Sequence, residues 1–166
     1  MFRLAAIFAL IANTAAADPN FWKFEWPNTD FETTNVQSWV EILSGGPPKH
    51  GIRAIDGRSF VDVFDESHIT DREPVTTLEL AGETPRAYPI RYLMWHEIVN
   101  DDIRGLPVAV TFCPLCNSGI TFDRRVGGQV LSFGVSGKLR NSDMIMYDPR
   151  LNPGGSRRSA KRSWES

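Results

Sequence analysis

The sequence predicts a single domain that is mainly β with minor helices, an α+β arrangement of antiparallel sheets and hairpins. Three observations predict it. The apolar runs are short and rich in β-branched residues, glycine-rich turns separate them, and long stretches with helical periodicity are few. At 166 residues the chain is long enough for one domain with a substantial core.

Residues 1–17 read as a secretory signal peptide. Arg3 supplies the positive start, residues 4–12 form an unbroken apolar run, and Ala15-Ala16-Ala17 offers a small-x-small cleavage site before Asp18. That run falls short of the ~20 apolar residues a bilayer span requires. No cysteine follows it and no other segment is long and apolar. The expectation is an exported, periplasmic protein without a transmembrane segment after cleavage. Residues 18–44 form an N-terminal arm and helix. The arm carries Phe21, Trp22, Phe24 and Trp26, and a weak helical pattern over 36–43 has Asn35 as N-cap and Gly45-Gly46 as its stop.

The β-rich domain is expected over 45–149. It opens on the loop Gly-Gly-Pro-Pro-Lys-His-Gly at 45–51. Phe60, Val61 and Val63 form a short apolar run. Residues 75–80 alternate, residues 81–83 turn, and 86–93 return, which is a hairpin pattern. Residues 95–99 read as a short helical corner and 100–105 as a polar turn. Residues 107–112 are nearly all apolar and so predict a central strand. After a connection at 113–119, strands are expected at 120–124, 130–135 and 144–147, with a turn at Gly127-Gly128. Residues 134–138, Gly-Val-Ser-Gly-Lys, read as a β-turn, because the spacing is not that of a full phosphate loop and no helix clearly follows.

The formal net charge is −2 and no basic face is evident, which argues against a nucleic-acid partner. A small molecule or a metal is the expected partner. The strongest chemical signal is Cys113-Pro114-Leu115-Cys116, which holds the only two cysteines. Three chemistries are open to it; the leading expectation is a metal-binding or metal-handling module, ahead of a thiol–disulfide oxidoreductase and of a non-catalytic β binding domain whose cysteines only shape a loop. As a knuckle between strands it could aim two thiolates at zinc or copper, with His96 as the best third ligand and His50 and His68 as weaker ones. As a redox pair it could exchange disulfides, although turn and strand residues follow it and not the helix that usually lowers a thiol pKa. As a staple it could pin the turn. Asn117 directly after the second cysteine excludes c-type haem attachment, which needs histidine there.

Asp123 and Arg125 share a strand face and could contact an anion or substrate; the plainer alternative is a solvated strand end. Lys138 and Arg140 are further anion candidates, and Asp143 could join a site or a turn. Tyr88, Tyr92 and Trp95 read as core or rim aromatics, and no Ser-His-Asp set can be assembled.

Several runs together resemble the exported bacterial family catalogued as domain of unknown function 3179. They are GGPPKHGI at 45–52, AYPIRYLMWHEIVND at 87–101, PVAVTFCPLC at 107–116, ITFDRRVGG at 120–128 and FGVSGKLRNSDMIMYD at 133–148. The resemblance implies export and a β-rich domain, and brings no established activity or cofactor. Two departures stand out. Relatives usually carry glycine or another small residue where this chain has Asn117. They also continue past the equivalent of Asp148 through a tryptophan-containing segment.

At that point the charge changes sign. Residues 150–166 hold five of the 18 basic residues and one of the 20 acidic ones. Back-translating Arg-Leu-Asn-Pro-Gly-Gly-Ser-Arg and starting from the third base can give Thr-Glu-Ser-Trp-Trp-Gln-Gln, which resembles the relatives' segment. The expectation is that residues after about Pro149 are out of frame, which leaves the domain incomplete; a natural basic tail is the alternative.

Overall fold

A computed structural model describes residues 19–27, 29, 31, 39–57 and 59–150. The expected signal peptide, the proposed cap at Asn35 and the tail from 151 onward lie outside the described residues. In chain order the strands are β1 (Ile42–Ser44), β2 (Ile55–Asp56), β3 (Val75–Leu78), β4 (Arg86–Pro89), β5 (Ile98–Ile103), β6 (Leu106–Cys113), β7 (Ser118–Asp123), β8 (Arg125–Val126), β9 (Gln129–Val130), β10 (Gly134–Arg140) and β11 (Asp143–Tyr147). One helix, α1 (Ile90–His96), lies between β4 and β5, and 3-10 turns occupy Pro19–Trp22 and Trp39–Glu41.

The central sheet has the order β2-β5-β6-β7, antiparallel except for the parallel β2–β5 pair. As its composition predicts, β6 is paired on both sides and almost wholly buried. Alternation along these strands sends successive side chains to opposite faces. Ile98, Ala109 and Cys113 face one core, with Leu131, Phe133, Val135, Met144 and Met146. Val99 and Val110 face the other, with Tyr88 of β4 and Leu93 of α1. Burying a side chain such as Ile98 or Val110 stabilises the fold by about 1.5–3 kcal/mol.

Three of the hairpins close over two-residue connections. Arg104-Gly105 joins β5 to β6, Gly127-Gly128 joins β8 to β9, and Asn141-Ser142 joins β10 to β11. In each, both central residues have positive φ. Primed turns require this, and their twist matches that of the strands they join.

The second sheet, β1-β10-β11, corrects one sequence expectation. Residues 134–138 are not a turn but part of strand β10. Its register shifts between Val135 and Lys138, and Gly137 there has φ +71°. A Cβ on Gly137 would collide with the Pro47 carbonyl oxygen, so the loop at 45–51 lies directly on this bulge. Other boundaries move as well. The return strand of the first hairpin stops at Pro89, which is the N-cap of α1. Of the helical corner expected at 95–99, Trp95 and His96 end that helix, whereas Ile98 and Val99 already belong to β5. The expected polar turn at 100–105 is mostly strand β5, with Asn100 and Asp101 buried. Ile42 and Leu43, at the end of the helical pattern read over 36–43, instead belong to β1.

Asn100 explains why polar residues are buried there. Its Nδ2 donates to Asp56 Oδ1 and to the Phe133 carbonyl, both at 2.8 Å, and its Oδ1 accepts from the Phe133 amide at 2.9 Å. One side-chain amide thus fastens the central sheet to the segment leading into β10.

Candidate functional site

The cysteines sit at the tip of the β6–β7 hairpin. The ladder closes at the pair Cys113 and Ser118, leaving residues 114–117 as the loop. Cys113 and Cys116 are joined by a disulfide, with Cα atoms 5.2 Å apart. The Cys116 amide donates to the Cys113 carbonyl and to Cys113 Sγ, each at 3.2 Å. Asn117 takes φ +50°, a left-handed conformation that glycine adopts freely and asparagine tolerates better than most residues. At this position, asparagine and glycine can therefore both meet the backbone requirement of the turn.

The two sulfur residues are unequal. Cys113 is 3% exposed and belongs to the core. Cys116 is half-buried at its margin, and Leu115 between them is exposed. Across the ladder from Cys113, the Ser118 hydroxyl is buried and has no hydrogen-bond partner.

The structure does not bring His96 into a metal site with the cysteines. Its Nδ1 lies 2.7 Å from the Arg53 carbonyl oxygen. Among the described residues, no three His, Cys, Asp or Glu side chains converge as metal ligands. His50 pairs its imidazole with the Tyr147 hydroxyl. Burial, and then the neighbouring Lys49 charge, lower the His50 pKa, while burial pushes Tyr147 up to about 12. His68 is an exposed neighbour of Glu66.

The remaining candidates fall into separate groups. Asp123 and Arg125 pair with each other at 2.6 Å on the surface. Lys138 is 8% exposed and reaches Glu25 at 3.2 Å, while Arg140 meets Glu41 at 2.7 Å. Asp143 lies opposite Arg140 in the hairpin and accepts from the Met144 amide.

Sequence reasoning passed over a second arrangement. Asp56, Gly57, Asn100, Asp101, Asp102, Arg124 and Ser132 line an open cleft of about 390 Å³. Arg124 donates to the carbonyls of Leu131 and Asp101, leaving its buried Nε without a partner, and desolvation lowers its pKa. Asp101 is held by Arg86 and by the Tyr88 hydroxyl, whose own pKa burial drives far upward. The strand alternation that drew attention to Asp123 and Arg125 steered it away from Arg124, which points to the other face.

Fold and site together define a small, mainly β domain with a disulfide at a hairpin tip. The chain belongs to the family described as protein of unknown function (DUF3179), whose profile matches residues 49–152. No curated protein and no solved structure matches the chain.

Proposed function

We propose that this is an exported thiol–disulfide exchange protein with Cys113 and Cys116 as its working pair. The observation that carries this is the bond between two cysteines in a four-residue turn, with one sulfur residue at the edge of solvent. As a staple such a bond contributes little. Closing a four-residue loop is worth about 2 kcal/mol on chain entropy, against about 3 kcal/mol for a 15-residue loop. The turn is already set by the Cys116 amide and by the backbone of Asn117. No helix N-terminus supports the thiolate here, so its stabilisation falls to local donors. A metal-handling role for the same sulfurs would need the bond opened first and ligands recruited from elsewhere, since zinc takes four.

The test is equilibration of the purified protein across glutathione buffers from oxidising to reducing. Free thiols are then trapped by alkylation and counted by mass. The expected result is a reversible two-electron transition within the buffered range. A pair that stays bonded throughout, or fails to re-form after reduction, rules the function out.

A further inference from the structure

The unequal surroundings of the two sulfurs give the exchange a direction. Resting on the exchange function just proposed, we infer that the incoming thiol attacks only Cys116, and that Cys113 leaves as a thiolate received by the Ser118 hydroxyl. Two independent observations meet here. The first is access: Cys113 is 3% exposed within the core, and Cys116 is half-buried at its margin. An attacking thiolate must reach the sulfur it bonds to, so access selects Cys116.

The second is the orphaned donor. A buried hydroxyl without a partner is costly and calls for an explanation. Ser118 is the direct cross-strand neighbour of Cys113, so the two side chains stand on one face with Cβ atoms about 4.5–5.5 Å apart. While the disulfide is intact, the hydroxyl has no anion to bind. Once the bond opens, Cys113 Sγ carries a charge that this hydroxyl and the Cys116 amide can both meet. Apolar surroundings otherwise disfavour a thiolate at Cys113, so these donors lower the cost of its departure.

The step balances. A thiolate RS⁻ bonds to Cys116 Sγ as the Sγ–Sγ bond breaks, and that electron pair stays on Cys113, which then takes a proton. A second thiol attacks the RS sulfur of the mixed disulfide and releases RSSR, and Cys116 takes a proton. Two thiols are oxidised to one disulfide while the protein pair gains two electrons and two protons. In the reverse direction Cys116 is the nucleophile and Cys113 resolves the mixed disulfide. This order is opposite to that of a pair opening a helix, where the helix N-terminus activates the first cysteine.

The experiment has two arms, both on the full chain. In the first, protein reduced with dithiothreitol receives limiting iodoacetamide, and fragmentation mass spectrometry locates the label. Label on Cys116 is expected; label mainly on Cys113 overturns the order of attack. In the second, wild type is compared with Ser118→Ala for the rate of reduction by dithiothreitol and the glutathione equilibrium. The variant should reduce about tenfold more slowly and shift toward the disulfide, the size expected for one hydrogen bond to a charged group. Its oxidised form should be no less stable in urea than wild type, because that form loses an unsatisfied hydroxyl. If the variant is reduced as readily as wild type, Ser118 has no part in the step. Failure of the wild-type glutathione transition would instead remove the exchange function, while the labelling arm would still report which sulfur is accessible.

Discussion

Replacing Asn100 with alanine tests how the two sheets are fastened together. The substitution removes three hydrogen bonds and leaves the Phe133 amide and carbonyl without partners. Phe133 is 6% exposed, so neither group is readily hydrated. Each orphaned group costs about 1–3 kcal/mol. The cleft beside Asn100 admits water to part of the vacated space, which favours the lower half of the range. The expected loss is therefore about 3 kcal/mol, a large share of the 5–15 kcal/mol typical of a domain. With a urea slope of about 2 kcal/mol/M, the unfolding midpoint should fall by about 1.5 M. Tryptophan fluorescence can follow the transition, since the chain has five tryptophans. Oxidised protein should be used throughout, so that the disulfide stays constant. A midpoint shift below about 0.5 M at unchanged slope would refute the claim that this amide is the clasp.

Two further predictions follow from backbone and charge. Asn117→Ala should lower stability by about 1 kcal/mol because alanine is strained at φ +50°, whereas Asn117→Gly should be neutral or slightly stabilising in the same urea assay; a stabilising alanine would contradict the left-handed assignment. Glu97 has its pKa raised above 4.5 by burial, so the folded state holds its proton longer than the unfolded state does. Below 4.5 both states are protonated and the group contributes nothing; as pH rises through the window above 4.5, ionisation progressively destabilises the fold. Glu97→Gln should therefore match wild type in acid and exceed it at neutral pH, as read from thermal midpoints across pH. A variant less stable at neutral pH would mean that the carboxylate has a favourable partner.

The sequence made legible what local pattern controls. The central strand β6 follows from an apolar run, and the turns follow from Gly-Gly and Asn-Ser pairs whose backbone can take positive φ. Residues 134–138 were harder. Two glycines in five residues suggest a turn, but Gly137 is there because the Pro47 carbonyl leaves no room for a Cβ, a contact across the fold that no local pattern encodes. The same holds for Asn100 and Asp101: their polarity suggests a surface turn, and only partners at Phe133, Arg86 and Tyr88 make burial possible. At the site, the cysteine spacing was visible. The difference in burial between the two sulfurs and the stranded Ser118 hydroxyl emerge only once β6 and β7 are paired.

The short strand β1 bears on how the fold is reached. Ile42 pairs with Arg140, nearly a hundred residues away, while the primed hairpins close over two residues. On loop-closure entropy alone, the long pairing costs about 3–4 kcal/mol more to nucleate. The hairpins therefore have a kinetic head start, and β1 is expected to dock onto β10 late. Until then β10 has an unpaired edge. The slow phase of folding, and the interval of greatest exposure to aggregation, should belong to that last closure.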